Sequence, residues 1–156
     1  MLEIAIPGRE QLQLEHLVLD FNGTLAVDGE LLPGVPDALA ELAQRLRIHV
    51  ITGDTFGSAR SALADLPCEL TVLPTHDQAS AKLSFVEQLS PARCVCIGNG
   101  ANDVAMLEAA ALSIVVVQGE GAAMDALLAA KVVAPSIASA LSLLIEPLRL
   151  IATLRS

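Results

Sequence analysis

The amino-acid sequence predicts an α/β protein in which helices cover both faces of a mostly parallel sheet. Short apolar runs alternate with segments of helical period along the chain, which is the pattern of successive βα units. Apolar residues make up 53% of the sequence and are mostly Ala, Leu, Val and Ile, which suits strands buried on both faces. A chain of 156 residues usually forms one domain, so we expect a single domain over residues 1–156.

Charge and aromatic content exclude several classes of partner. The formal net charge is −9 and the chain has no Trp or Tyr, so we expect no nucleic acid partner. No apolar run reaches membrane-spanning length and the N-terminal residues include acids, so we expect no membrane span and no signal peptide. A small phosphorylated ligand is compatible with this composition.

The three cysteines, Cys68, Cys94 and Cys96, favour a reducing, cytoplasmic compartment. Cys94 and Cys96 alternate within a predicted strand, so both should point to the same face of the sheet. No His or Cys lies at ligand spacing from them, so we interpret them as buried free thiols rather than as a metal pair.

The predicted strands are short apolar runs bounded by turn signals. Residues 2–6 are predicted to form either an edge strand or a hairpin arm that returns through Leu12 and Leu14. The other predicted strands cover 17–20, 48–51, 69–73, 94–97, 114–117 and 132–133. Residues 26–33, which contain Asp28-Gly29, are predicted to form a loop, and Gly119-Glu120-Gly121 a turn.

The predicted helices fill the intervals between these strands. One begins at Pro36 and carries apolar residues at helical spacing as far as Leu46. The others are predicted over 55–65, 77–89, 104–110, 122–130 and 136–154. The last is long and apolar, and Pro147 should bend or break it.

One strand end organises the rest of the chain. The apolar run over 17–19 stops at Asp20, and Gly23-Thr24 then requires a sharp turn. Ligands of open α/β sheets bind beyond the carboxyl ends of the strands, so Asp20 stands where chemistry could take place. The alternative is a turn-forming Asp that only ends the strand.

Three further polar groups are predicted near the same edge of the sheet. Thr52 ends the second buried strand, Lys82 lies in the first half of a helix, and residues 98–103 follow a later strand. Taken singly, Thr52 could cap a helix, Lys82 could be a surface lysine, and 98–103 could be only a tight turn. Their joint occurrence, in this order, favours one cleft that gathers all four sites.

In this combination the sequence resembles the haloacid dehalogenase superfamily of phosphatases and phosphotransferases. Residues 20–24 (Asp-Phe-Asn-Gly-Thr) resemble its first motif, Thr52 the second, Lys82 the third, and residues 98–103 (Gly-Asn-Gly-Ala-Asn-Asp) the fourth. Thr52-Gly53-Asp54 and the fourth motif are similar to the phosphorylation domain of P-type ATPases and to their small soluble relatives. The resemblance spans about residues 17–133 and implies a Rossmann-like three-layer fold.

The resemblance implies a Mg²⁺-dependent phosphohydrolase that forms an aspartyl-phosphate on Asp20. The implied catalytic residues are Asp20, Asn22, Thr52 and Lys82. The implied phosphate-binding residues are Asp20, Thr52, Gly53 and Lys82. The implied metal ligands are Asp20, the main-chain carbonyl of Asn22, and a side chain from Asn99 or Asp103. Oxygen ligands of this kind suit Mg²⁺.

Two positions depart from the family pattern, and both carry Asn in place of Asp. Phosphatases of the superfamily usually have a general acid and base two residues after the nucleophile, whereas Asn22 cannot exchange a proton. The resemblance therefore implies slow hydrolysis, by a factor of roughly 10²–10⁴. Asn99 replaces a metal-binding Asp, so Mg²⁺ should bind more weakly, and Asp103 is expected to take over part of that role.

Two expectations concern access to the site. The intervals from Thr24 to Thr52 and from Thr52 to Lys82 each hold only one helix with its adjoining strand and loops, so no cap domain fits. An open cleft would admit a small phosphorylated substrate or a phosphoprotein. The apolar surface of the C-terminal helix predicts a homo-oligomer, unless packing on its own sheet absorbs that surface.

Two function hypotheses from different classes stay open at this point. The first is the capless phosphohydrolase, which the presence of Asp20, Thr52, Lys82 and Asp103 favours. The second is a non-catalytic module that keeps the fold and binds phosphate, metal or a protein partner, which the changes at Asn22 and Asn99 favour.

Overall fold

The computed structural model describes residues 1–53 and 57–156. Asp54 and the first residues of the helix predicted over 55–65 lie outside the described residues. The strands are β1 (Leu2–Ile4), β2 (Leu12–Leu14), β3 (His16–Asp20), β4 (Ala26–Val27), β5 (Glu30–Leu31), β6 (Arg47–Thr52), β7 (Glu69–Val72), β8 (Cys94–Gly98), β9 (Leu112–Val116) and β10 (Val132–Ala134). The helices are α1 (Val35–Leu42), α2 (Ser58–Leu63), α3 (Gln78–Gln88), α4 (Val104–Ala109), α5 (Met124–Ala129), α6 (Ile137–Ile145) and α7 (Pro147–Leu154).

Six parallel strands form the central sheet, in the order β10-β9-β8-β3-β6-β7. Apolar side chains pack on both faces of this sheet in two separate clusters, so the layers are helix, sheet and helix. Cys94 and Cys96 are both buried in one of these clusters, whereas Val95 and Ile97 belong to the other. The predicted α/β class, the mostly parallel sheet and the shared face of Cys94 and Cys96 are confirmed.

The register of the central strands brings the predicted polar groups to one edge. Asp20 on β3 lies opposite Ile51 on β6, one residue before Thr52. Leu19 on β3 lies opposite Ile97 on β8, one residue before Gly98. The carboxyl ends of three adjacent strands therefore meet at the same level of the sheet.

The chain between Thr24 and β6 differs from the prediction of a loop over 26–33. There β4 and β5 pair as a small antiparallel hairpin, with Asp28 (φ 53°) and Gly29 (φ 79°) at its turn. An Asp-Gly pair in the left-handed region matches the twist of a two-residue hairpin, which is why the segment pairs with itself. With α1 it is the only structure between Thr24 and β6, so this described interval holds no cap.

Both ends of the chain largely follow the prediction. Strands β1 and β2 pair as a separate antiparallel hairpin. The helix predicted from Pro36 ends at Leu42, and a turn carries the chain on to Leu46, which is still buried. The predicted C-terminal helix is broken at Glu146 into α6 and α7, whose axes differ by 99°.

The break turns most of the C-terminal apolar surface inward. Both helices bury apolar residues in the core, namely Ile137, Ala140, Leu141, Leu144, Leu150 and Leu154. Leu148 is the exception and is 79% exposed. Among the described residues no single helix is long and apolar enough to cross a membrane, and α6 and α7 reach that length and composition only as a bent pair. The homo-oligomer stays an untested prediction.

Candidate active site

A cleft of about 640 Å³ opens at the carboxyl edge of the central sheet. Its walls come from the loops that follow β3, β6, β8 and β9 and from the first turn of α3. The lining residues are Asp20, Asn22, Thr52, Gly53, Gln78, Asn99, Gly100, Ala101, Asn102 and Glu120. All the residues predicted for the site lie in or directly beneath this cleft.

Lys82 connects two carboxylates beneath the cleft. The Lys82 side chain, only 1% exposed, donates from Nζ to Asp20 Oδ1 at 2.9 Å and to Asp103 Oδ1 at 2.7 Å. It also reaches Asn102 Oδ1 at 3.3 Å. Burial alone lowers the pKa of the Lys82 ammonium, but the two carboxylates outweigh it and raise that pKa above its ordinary value. The ammonium is therefore held charged between two acids.

Asp103 is an anchor for the loop between β8 and α4. Its Oδ1 accepts from Lys82, and its Oδ2 accepts from the main-chain N–H groups of Asn99 at 3.0 Å and Gly100 at 2.9 Å. A Cβ on Gly98 would lie 2.5 Å from this oxygen, so only glycine lets the carboxylate approach so closely. The Asp103 carboxylate is fully buried and both oxygens are occupied, which leaves it little capacity to bind a metal.

Asp20 is the carboxylate that faces the cleft. Its Oδ1 is held by Lys82, and no side-chain partner among the described residues holds its second oxygen. Burial raises the pKa of Asp20 to about 7; the charge of Asp103 acts in the same direction, and Lys82 opposes them. A cation in the cleft would favour the ionised form, which is the form that can act as a nucleophile.

Asn99 is tied into the surrounding loops by both ends of its carboxamide. Its Oδ1 accepts from Thr24 Oγ1 at 3.3 Å, and its Nδ2 donates to the Gly121 carbonyl at 3.1 Å. Gly23 packs directly against this amide, and a Cβ there would collide with it. Asn99 thus lies at the cleft and connects two loops through hydrogen bonds. Its side-chain oxygen already accepts one of these bonds.

Three polar side chains that the sequence did not single out also shape the cleft. Gln78 accepts from Asn102 Nδ2 at 3.0 Å and closes off the side near Gly53. Gln118 Nε2 donates to the main-chain carbonyls of Gly23 and Thr24. Glu120 lines the opposite wall. Sequence spacing holds no sign of Gln78, whereas Gln118 and Glu120 both lie in the short segment that follows a predicted strand end, which was available as a signal.

The donors at this cleft suit a small oxygen-seeking cation. Asp20, Asn22 and Asn99 offer only oxygen and amide groups, and no cluster of three or more His, Cys, Asp or Glu residues that could hold a metal occurs in the described ranges 1–53 and 57–156. Hard ions such as Mg²⁺ prefer oxygen donors, but only Asp20 among these three residues carries a charge, so the three together give little charge compensation. The set fits Mg²⁺ with modest affinity and does not suit a thiolate or imidazole metal.

The family model described as haloacid dehalogenase-like hydrolase matches residues 2–111 of this chain. The fold is similar to the cobalt-bound form of deoxy-D-mannose-octulosonate 8-phosphate phosphatase from Haemophilus influenzae, with a TM-score of 0.72 and 14% identity over 92% of this chain and 94% of that one. A phosphatase for the same compound from Moraxella catarrhalis, solved with magnesium, phosphate and KDO, has a TM-score of 0.67 and 16% identity over 91% and 94%. These likenesses concern the fold.

A zinc-transporting PIB-type ATPase is also similar, with a TM-score of 0.59 and 26% identity. This chain spans only 20% of that much longer protein, while 79% of this chain is covered. The likeness therefore concerns one part of the transporter.

Proposed function

The chain belongs to the haloacid dehalogenase-like hydrolase family, and we propose that it is a phosphohydrolase that works through an aspartyl-phosphate on Asp20. The observation that carries the proposal is the contact of Lys82 Nζ with both Asp20 and Asp103 beneath an open cleft. Lys82 holds Oδ1 of Asp20, and because Asp20 also lines the cleft, its carboxylate is placed where a substrate would enter. In this arrangement the carboxylate of Asp20 can attack a substrate, while the carboxylate of Asp103 holds Lys82 in position.

In the first step an oxygen of Asp20 attacks phosphorus and the bond from phosphorus to the leaving group breaks. Lys82 neutralises the charge that collects on the nucleophile and on the phosphoryl oxygens. Thr52, buried at the end of β6, and Gly53 line the cleft, and the Thr52 hydroxyl and the main chain at Gly53 bind those oxygens. In the second step water attacks the aspartyl-phosphate, releases phosphate and restores Asp20.

The metal of the proposed site is Mg²⁺, held by Asp20, the Asn22 main-chain carbonyl and the neutral oxygens around Asn99. When bound, it supplies the positive charge that lets an anionic phosphate meet an anionic carboxylate. Asp103 belongs to this set only indirectly, because its oxygens hold Lys82 and the loop after β8. We expect millimolar rather than micromolar Mg²⁺ to be needed.

Asn22 sets the expected rate. Its carboxamide can orient a leaving oxygen or a water but cannot take or give a proton. We therefore favour as substrate a phosphorylated compound with a good leaving group, such as an acyl or nucleotide phosphate. The uncapped cleft would also admit a phosphoprotein, whose ester groups would react more slowly because they are poor leaving groups. The free thiols of the chain agree with action in a reducing, cytoplasmic compartment.

The test is to trap the intermediate. Wild-type protein is mixed with Mg²⁺ and acetyl phosphate or an aryl phosphate, quenched in acid, and analysed for phosphate on Asp20 that hydroxylamine removes. Asp20→Asn is the negative control, and chelation of Mg²⁺ should abolish labelling. Asn22→Asp should speed the decay of the intermediate about tenfold or more.

The second candidate is a non-catalytic module that binds phosphate or metal in the same cleft. It is favoured by Asn99, whose oxygen already accepts from Thr24, and by the two occupied oxygens of Asp103. If neither wild type nor Asn22→Asp forms the intermediate at saturating Mg²⁺, the phosphohydrolase is wrong and this candidate replaces it.

A further inference from the structure

We propose that the carboxylate of Glu120 performs the proton transfer that Asn22 cannot, and so acts as general base when the aspartyl-phosphate is hydrolysed. The inference rests on the proposed function. It concerns a residue outside the four motifs, on the loop between β9 and α5. Three features of the described structure carry it.

The first feature is the composition of the cleft wall. Among the described residues that line the cleft, the carboxylates are those of Asp20 and Glu120. Asp20 is the nucleophile, and the remaining lining side chains are amides, a hydroxyl or small groups without a proton to exchange near neutral pH. Among the described residues that line the cleft, Glu120 is thus the group that can accept a proton while Asp20 carries the phosphoryl group.

The second feature is that the loop bearing Glu120 is fastened to the loop bearing Asn22. Gln118 Nε2 donates to the carbonyls of Gly23 at 3.2 Å and Thr24 at 2.9 Å. The other end of the same carboxamide, Oε1, accepts from the Ile137 N–H at 2.7 Å. These three bonds engage both ends of Gln118, so the residue two positions before Glu120 is fixed against the turn where the usual acid is missing.

A second tie lies on the other side of Glu120. The carbonyl of Gly121 accepts from Asn99 Nδ2 at 3.1 Å, which joins the loop to the fourth motif. Glu120 is therefore held between two hydrogen-bonded neighbours, one reaching the first motif and one reaching the fourth. These are the two places where the family pattern has lost a carboxylate.

The third feature is that the Glu120 carboxylate is available. The residue is exposed, and among residues 1–53 and 57–156 no hydrogen bond or ion pair engages its side chain. Asp103, the other acid near the cleft, is fully buried and engaged by Lys82 and two main-chain N–H groups. Of the two, only Glu120 can meet a water that enters from the open side.

The proposed step balances as follows. The oxygen of a water attacks phosphorus of the aspartyl-phosphate, and one proton of that water passes to the Glu120 carboxylate. The bond between phosphorus and the Asp20 oxygen breaks, and its electron pair returns to the Asp20 carboxylate. Inorganic phosphate leaves, and the proton on Glu120 is released to solvent or given to the next leaving group.

The experiment is a double-mutant cycle on the decay of the trapped intermediate. Wild type, Glu120→Gln, Asn22→Asp and the double variant are phosphorylated with an aryl phosphate at saturating Mg²⁺, and rapid quenching measures formation and decay separately. Glu120→Gln should slow decay about tenfold or more in the wild-type background, within the usual range for acid–base help. In the Asn22→Asp background it should change decay by less than about threefold, because the carboxylate introduced by that substitution then accepts the proton.

Two controls separate this role from others. Glu108→Gln removes an exposed carboxylate of α4 away from the cleft and should leave both rates unchanged. Glu120→Asp, which keeps the acid on a shorter stem, should recover part of the decay rate. Formation of the intermediate should be nearly unaffected by Glu120→Gln, because an aryl leaving group needs little protonation.

Three results would overturn the inference. The first is normal formation with unchanged decay in Glu120→Gln. The second is an equal slowing in both backgrounds, which would mean that Glu120 does not stand in for the missing acid. The third is a raised Mg²⁺ requirement with unchanged decay at saturation, which would make Glu120 a metal-binding group. If no intermediate forms in any of the four proteins, the proposed function is wrong, and the inference about Glu120 is wrong as well.

Discussion

Strands β3 and β6 lie side by side, and both ends of the pair carry buried or partly buried polar side chains. At the carboxyl end Asp20 meets Lys82, which also holds Asp103. Towards the amino end His16 Nδ1 and His49 Nε2 lie 3.1 Å apart, and His49 Nδ1 lies 3.7 Å from Glu69 Oε2. Strand β3 contributes one residue to each cluster, Asp20 at its carboxyl end and His16 at its amino end.

The two clusters deal with charge in opposite ways. Burial is the main cause that lowers the pKa of both His49 and His16. The opposing charges, Glu69 for His49 and Glu15 followed by Glu69 for His16, do not outweigh it, so these rings are neutral near pH 7. Beneath the cleft the charges are kept and paired instead, because Lys82 is shared by two acids. The histidine rings are buried without charge, whereas a cleft that is proposed to bind an anionic phosphate needs charged groups that have compensating partners.

The largest expected effect comes from removing Lys82. In Lys82→Met two buried carboxylates lose their common cationic partner, so the free energy of unfolding should fall by about 3–5 kcal/mol. Urea unfolding measures the change. Lys131→Met, which alters the chain's other lysine at an exposed position, should change stability far less. Equal stability of Lys82→Met and wild type would mean that the two acids do not depend on the lysine.

The next largest effect is expected where Gly98 packs against the Asp103 carboxylate. A Cβ at position 98 would lie 2.5 Å from Asp103 Oδ2, so Gly98→Ala should push this carboxylate off the main-chain N–H groups. The expected loss is about 1–3 kcal/mol, the usual cost of overpacking, together with a loss of phosphoenzyme. Gly100→Ala is the matched control, because its nearest contact is the Asn102 side chain at 3.2 Å. If Gly98→Ala and Gly100→Ala lose the same stability, the close contact between Gly98 and Asp103 does not contribute to it.

A smaller effect comes from adding charge to the same end. Asn99→Asp supplies a second carboxylate for Mg²⁺ but loses the Nδ2 bond to the Gly121 carbonyl. Stability without metal should fall by about 1–2 kcal/mol, since a carboxylate then faces a carbonyl oxygen. Calorimetry should show tighter Mg²⁺ binding than in wild type. Unchanged Mg²⁺ affinity would show that Asn99 does not face the metal.

The smallest expected change in stability concerns the pair of His16 and His49 on strands β3 and β6. His49 is 6% exposed and its pKa is lowered on folding, so the unfolded chain binds more protons than the folded one below about pH 6.5. The contribution of His49 to stability should therefore be complete above that pH and be lost as pH falls through the lowered pKa, whereas Asp20, with its pKa raised to about 7, changes stability in the opposite direction over part of the same range. His49→Gln should flatten the dependence, while His76→Gln, at an exposed position, should not. The measurement is urea unfolding from about pH 5 to pH 8, which gives the slope of the free energy of unfolding against pH. An identical slope in wild type and His49→Gln would contradict this prediction.

The sequence alone predicted the order of strands and helices and the position of the site. Apolar runs that end at Asp20, at Thr52 and before residues 98–103 predict parallel strands, and parallel strands place their carboxyl ends at one edge. Lys82 was found by its motif, and the structure brings it within 2.9 Å of Asp20. The pairing of residues 26–33 as a hairpin was missed, although Asp28-Gly29 is a hairpin signal.

Only the tertiary structure decided which polar groups at that edge are already engaged. The spacing of residues in the sequence cannot show that both oxygens of Asp103 accept hydrogen bonds from Lys82 and main-chain N–H groups. Nor can it show that the Asn99 side chain is hydrogen-bonded to both Thr24 and Gly121. Gln118 reaches Thr24 from 94 residues away in the chain, and this contact places Glu120 at the cleft. Local sequence determines helices and strands through periodicity and turn residues. Hydrogen bonds between distant loops depend on distances that exist only after the sheet has assembled.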